Sequence, residues 1–142
     1  SLREQRKGAT ILLLDAHRDT HMLAAHILRK RDCSLVVAHD LPEAIEALDQ
    51  DLYDLVVADV ALAGSGAGEG AATLRAHLGR DGRRTRLYAT APAPSEGFAE
   101  AMAAQGWDGT LAKPLRRDDL LAVLRAMGKL AGDAEDGGAT PP

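Results

Sequence analysis

Cysteine is nearly missing from this sequence: Cys33 stands alone, so no disulfide can close within the chain, and a reducing compartment, the cytoplasm, is expected. Aromatic residues are just as scarce, at 3%, which leaves Ala, Leu, Ile and Val to build the core. No apolar run approaches the roughly 18 residues that a membrane-spanning helix needs, and no signal-peptide pattern is visible, so no membrane association is expected. There is no surplus of positive charge either. A net charge of -4 and a pI of about 5.7 argue against direct nucleic-acid binding by the domain. No Walker-type or dinucleotide-binding glycine fingerprint is present. What remains is 142 residues, 46% hydrophobic and 27% charged, the composition of one globular domain with its own core.

The chain divides by pattern. Residues 1–8, SLREQRKG, are polar and read as a tail or linker; the first residues, Ser1-Leu2, lack an initiator Met, as an expression remnant or the cut edge of a larger protein would. Residues 9–128 carry the ordered pattern, and residues 129–142, acidic, glycine-rich and ending Pro141-Pro142, are expected to be disordered. Within the ordered part, Ile11-Leu12-Leu13-Leu14, Leu35-Val36-Val37-Ala38 and Leu55-Val56-Val57-Ala58 are short runs apolar at every position. Such runs suit strands covered on both faces, as in a parallel sheet. Arg86–Thr90 and Thr110–Ala112 predict a fourth and a weaker fifth strand. Between them, helical spacing predicts helices over Asp19–Arg31 (with Leu23, Ile27 and Lys30 on one face and Ala24 and Leu28 beside them), from Pro42 through Leu48 with Ala44 and Ile45, and over Ala71–Leu78, Glu96–Gln105 and Asp118–Met127. Ala63–Gly68 is too glycine-rich for regular structure. Five strands alternating with five helices predict an α/β doubly wound sheet with right-handed crossovers and helices on both faces.

In such a sheet the ligand crevice lies beyond the carboxyl ends of the strands. Asp15, Asp59, Thr90 and Lys113 all fall at or just after predicted strand ends. Two carboxylates brought together repel, and a divalent cation such as Mg²⁺ is the simplest compensation. Lys113 adds a compact positive charge and Thr90 a hydroxyl. A phosphoryl group bound there would meet a metal, an ammonium and a donor hydroxyl, the groups that stabilise phosphoryl transfer, and a carboxylate can itself be the nucleophile, forming an aspartyl phosphate. Each residue alone has a plainer meaning: a strand-end Asp is usually a turn former, Thr90 an ordinary strand residue, Lys-Pro a common dipeptide. Their joint order on a repeating βα frame carries the stronger reading.

ILLLD at 11–15, YDLVVADV at 53–60, Thr90-Ala91 and LAKP at 111–114 resemble the four landmark motifs of response-regulator receiver domains, over roughly residues 9–128. The resemblance implies a flavodoxin-like fold with sheet order 2-1-3-4-5. It implies Asp59 as phosphoacceptor, Thr90 against the phosphoryl oxygens, Lys113 against the phosphoryl charge, and a Mg²⁺ site of Asp15, Asp59 and Ala61. A histidine kinase or histidine phosphotransfer protein would be the partner, with self-catalysed phosphoryl transfer and autodephosphorylation as the only chemistry. A homodimer, a partner face formed by the fourth helix, fifth strand and fifth helix, and a cis Lys113-Pro114 bond are further implications.

The sequence departs from the family pattern in three places. Ala16 stands where a second acid usually follows Asp15, so Mg²⁺ binding is expected to be weak, and His17, imidazole being a poor Mg²⁺ ligand, is expected to be a surface loop residue. His17 and His21 with Asp19 lack a third well-placed ligand for a transition metal. Ala63 replaces a proline and Glu69-Gly70 comes late, which lengthens the loop after Asp59. Thr110 replaces an aromatic, and Trp107 is expected to pack on the last helix. The alternative these departures favour is a pseudo-receiver, a phosphorylation-independent interaction module. Arg80, Arg83, Arg84 and Arg86 are expected to form a solvated basic loop.

Overall fold

Five uniformly buried residues, Thr10–Leu14, make β1, and the strand can be buried on both sides because every side chain in it except Thr10 is aliphatic. β2 (Ser34–Ala38), β3 (Leu55–Asp59), β4 (Arg86–Pro92) and β5 (Gly109–Lys113) join it in one parallel sheet of order β2-β1-β3-β4-β5. This is the flavodoxin-like order expected from the sequence. The computed structural model describes residues 8–64, 69–78 and 84–130, so residues 1–7 and 131–142 of the two tails, Ser65–Gly68 and the Arg80 and Arg83 of the basic cluster lie outside the described residues, while Leu130, read as part of the disordered tail, is buried in the core. The helices are α1 (Arg18–Arg29), α2 (Leu41–Gln50), α3 (Val60–Ala63), α4 (Glu69–Ala76), α5 (Phe98–Ala104) and α6 (Arg117–Ala126).

Side-chain alternation splits the core in two. Ile11, Leu13, Leu55 and Val57 face a layer formed by Ala24, Ile27 and Leu28 of α1 and Leu120, Leu121 and Leu124 of α6. Leu12, Leu14, Val56, Ala58, Leu87 and Ala89 face the other side, against Ala44 and Leu48 of α2 and Ala71 and Leu74 of α4. Each fully buried Leu or Val contributes roughly 1.5–3 kcal/mol relative to exposure, so the sheet is held from both faces and its edge loops are left to carry function.

Four local expectations change. There are six helices among the described residues rather than five, because the Asp59 carboxylate accepts the Ala61 N–H at 2.9 Å and caps the single turn α3. The buried face of α1 is Ala24, Ile27 and Leu28, while Leu23 is 37% exposed and Lys30 is exposed; the small Ala24 lets the helix approach the sheet. Trp107 belongs to the layer of Ala71, Leu74 and Leu87, on the opposite face from α6. It is carried there because Gly106, at φ 101°, turns the chain sharply out of α5 and the Trp107 N–H closes back on the Met102 carbonyl. β4 runs two residues past its expected end at Thr90, into Pro92.

Candidate functional site

The strand ends place the polar residues. The Asp15 amide donates to the Ala38 carbonyl at 3.0 Å, which extends the sheet's hydrogen bonding one residue past β1 and fixes where its carboxylate sits. Asp59 ends β3 directly opposite Thr90 of β4, and Lys113 ends β5, where a cis peptide bond joins it to Pro114. All four anticipated rim residues therefore lie at the carboxyl end of one sheet, and three of them touch. Lys113 Nζ is 2.8 Å from Asp15 Oδ2 and 3.3 Å from Asp59 Oδ2. Thr90 is buried beside them in register with Asp59.

The contacts are nearly withdrawn from water: side-chain exposure is 2% for Asp15, 8% for Asp59 and 10% for Lys113. Burial alone would push the Asp15 carboxyl up, but Lys113 and the His17 amide outweigh it and hold the group below the usual carboxylate range. Lys113 moves the other way: burial favours its neutral form, yet Asp15 and Asp59 together keep the ammonium above its ordinary value. One ammonium thus serves two carboxylates, and the rim keeps an excess negative charge ready for a further cation.

His17 is an exposed loop residue, as expected, and also lies against the site. Its ring is 68% exposed, as a loop histidine should be, yet Nδ1 lies 3.1 Å from Asp15 Oδ1 and 3.2 Å from Lys113 Nζ. Its amide donates to Asp15 Oδ1 at 2.7 Å, which ties the residue to the site through its main chain. Ligand atoms of Asp15, His17 and Asp59 lie within 4.8 Å of one another, a spacing that fits one metal ion. The signal that could have found His17 is its position, two residues after a strand-end Asp, where an Asx-type turn folds the chain back on the carboxylate. Ala61 reaches the site through its main chain, as donor to Asp59 Oδ1. The Ala16 side chain is exposed and adds no oxygen.

The other departures have structural partners. Ala63 is buried, and Gly70, in the first turn of α4 rather than in a turn of its own, packs on it: a Cβ at Gly70 would sit 3.1 Å from that of Ala63. Thr110 lies opposite Ala89 on β5, and the nearby aromatic is instead Tyr88 of β4, whose ring covers Gly109 so closely that a Cβ there would meet it at 2.5 Å. Of the basic cluster, Arg84 is paired with Asp108.

The family model for the response regulator receiver domain matches residues 11–125. Transcription factor SKN7 of Saccharomyces cerevisiae is 28% identical over 119 residues, which are 84% of this chain and 18% of that protein; the chain thus spans under a fifth of the curated relative it matches. Among solved structures, the receiver domain of the Pseudomonas aeruginosa sensor histidine kinase PA1611, with a magnesium ion in its active-site cleft, aligns with a TM-score of 0.67 at 24% identity, covering 84% of this chain and 96% of that one. The receiver domain of the S. cerevisiae response regulator Ssk1, solved with the phosphotransfer protein Ypd1, aligns with a TM-score of 0.72 at 17% identity, covering 88% and 94%. At these identities the structural likeness establishes the fold. None of the helices described is long and apolar enough to cross a membrane.

Proposed function

The chain belongs to the response regulator receiver domain family, and on that premise we propose that it accepts a phosphoryl group on Asp59 from a phosphohistidine of a histidine kinase or phosphotransfer protein. The observation that carries the proposal is the convergence of the Asp59 carboxylate, the Lys113 ammonium and Thr90 at one buried rim. A carboxylate oxygen of Asp59 attacks phosphorus, the P–N bond of the donor breaks as the O–P bond forms, and the imidazole leaves with the bonding electron pair and takes up a proton. Ala61 holds Asp59 Oδ1 through its amide and so fixes the carboxylate plane for attack. Lys113 neutralises charge on the phosphoryl oxygens, and Thr90 is the hydroxyl nearest to hand on the adjoining strand. Water attacking the acyl phosphate would reverse the modification.

The donor set fits a divalent cation, with Asp15 and Asp59 as oxygen ligands and the main chain of Ala61 completing the set; when bound, the ion would supply positive charge to the phosphoryl oxygens. The missing acid at Ala16 weakens such a site toward Mg²⁺. A phosphotransfer partner is supported by family membership and by the complex in which the structural neighbour Ssk1 was solved with Ypd1. The working unit is taken as residues 9–128, acting in the cytoplasm; a two-fold dimer through the face of α5, β5 and α6 is a further part of the proposal.

Incubation with acetyl phosphate and a divalent cation, followed by intact-mass measurement, tests the reading. Wild type should gain one phosphoryl group and Asp59→Asn none. No gain in wild type, from acetyl phosphate or from a phosphorylated phosphotransfer protein, would leave the pseudo-receiver, which Ala16 and Thr110 favour; partner binding would then be indifferent to Asp59→Asn.

A further inference from the structure

The open position at Ala16 and the unexpected closeness of His17 belong to one piece of chemistry. Lys113 Nζ is ringed by three atoms, Asp15 Oδ2 at 2.8 Å, His17 Nδ1 at 3.2 Å and Asp59 Oδ2 at 3.3 Å. An ammonium only donates, so toward Lys113 the Nδ1 atom presents its lone pair and the ring proton sits on Nε2. The same nitrogen would need a hydrogen to bond Asp15 Oδ1, and a neutral imidazole cannot satisfy both. Asp15 Oδ1 has a shorter donor already, the His17 amide at 2.7 Å, so the ring is not needed there. His17 is also the N-cap residue of α1 without any side-chain capping bond. The main chain is therefore anchored, and the Nδ1 lone pair that now faces the Lys113 ammonium is already directed at the place a cation would take.

We propose that His17 is a metal ligand through Nδ1, and that with Asp15 and Asp59 it makes a site of two carboxylates and one imidazole that takes a first-row transition dication in preference to Mg²⁺. This rests on the metal-assisted phosphoacceptor reading and specifies its cation. Mg²⁺ seeks oxygen donors and gains little from a nitrogen, whereas imidazole suits Co²⁺, Ni²⁺ and Zn²⁺. Losing an acid at position 16 costs Mg²⁺ an oxygen ligand; gaining His17 compensates only the ions that bind nitrogen well. Lys113, on a flexible stem, must give up at least one of its three contacts when the dication enters.

Titration of the full chain with Co²⁺ and, separately, with Mg²⁺ tests this, read by calorimetry and, for Co²⁺, by its d–d absorption. Wild type should bind Co²⁺ more tightly than Mg²⁺. His17→Ala should weaken Co²⁺ by about 10-fold or more and alter its absorption, while leaving Mg²⁺ affinity within about 2-fold, since that ion does not use the ring. Ala16→Asp should tighten Mg²⁺ and narrow the preference. Equal Co²⁺ affinity in wild type and His17→Ala would overturn the proposal. So would loss of the Co²⁺ signal in His39→Ala instead, which would put the ion on the neighbouring His21 and His39 rings, 5.0 Å apart. The phosphoryl mass gain is read independently. Its absence with both ions, beside an intact His17-dependent titration, would defeat the phosphoacceptor reading and leave the metal site standing.

Discussion

Both ends of the sheet hold a pair of aspartates largely withdrawn from solvent, Asp108 alone of the four only partly buried, and the two pairs are built differently. At the amino end each acid has its own partners. Asp54, just before β3, accepts the Thr10 N–H of β1 at 2.9 Å and returns its own N–H to the Thr10 carbonyl; Lys129 stands 3.6 Å away. Asp108, just before β5, does the same with Leu87 of β4, at 2.8 Å in each direction, and is flanked by Arg75 and Arg84. These are fasteners that set strand register where the strands begin. At the carboxyl end Asp15 and Asp59 make no such clasp with a neighbouring strand and share the one lysine. Burial of an acid is therefore not in itself a sign of function; what distinguishes the rim is that negative charge is gathered there faster than it is cancelled.

That contrast can be broken by substitution. The largest effect is expected from Lys113→Met, which leaves two buried carboxylates facing each other: a loss of about 3 kcal/mol in metal-free buffer at neutral pH, by urea denaturation. A loss under about 1 kcal/mol would mean that the rim is better hydrated than its burial indicates. Next comes Asp108→Ala, which strands the Leu87 N–H and removes the carboxylate shared by two arginines, for about 2 kcal/mol. This second effect should depend on pH. Burial pushes the Asp108 carboxyl up, but the Leu87 N–H, Arg84 and Arg75 prevail and hold it below its ordinary 3.8. A carboxyl lowered in the fold stabilises above its unfolded value and loses that contribution as pH falls through the folded one. The gap between wild type and Asp108→Ala should accordingly be full at neutral pH and close below about pH 4. A gap that widened on acidification would contradict the clasp.

The difference between the two ends also explains what could be read in advance. The strands and the residues Asp15, Asp59, Thr90 and Lys113 were visible because short apolar runs and strand-end polar residues are local signals; the strand order, which decides where those residues meet, came from the resemblance to receiver domains. His17 was not visible as a site residue, since its part depends on a turn that brings Nδ1 to Lys113, 96 positions away. The Asp54 and Asp108 clasps were equally silent, because an acid before a strand looks like any turn former until the neighbouring strand supplies its amide. Trp107 went to the unexpected face for a comparable reason: only the φ of Gly106 decides on which side of the sheet the ring emerges. On α1 the expected face was drawn too wide: Ala24, Ile27 and Leu28 pack on the sheet, and only that packing excludes Leu23 and Lys30 from it.

The smallest expected effect is the sharpest comparison. In Asp59→Asn the Ala61 N–H keeps an acceptor, so the cap of α3 survives. What is lost is the attraction between Asp59 and Lys113 across 3.3 Å; what is relieved is the repulsion between Asp59 and Asp15, whose ligand atoms lie within 4.8 Å. At an effective dielectric near 20 both are of the order of a few kcal/mol and opposite in sign. Lys113 also keeps its shorter contact, 2.8 Å to Asp15. The net change should fall within about 1 kcal/mol of zero, measured against the same denaturant series, although the substitution removes a carboxylate charge just as Asp108→Ala does. If Asp59→Asn instead costs as much as Asp108→Ala, then Asp59 is fastened like the acids at the other end, the rim carries no surplus of negative charge, and the case for a cation there fails with it.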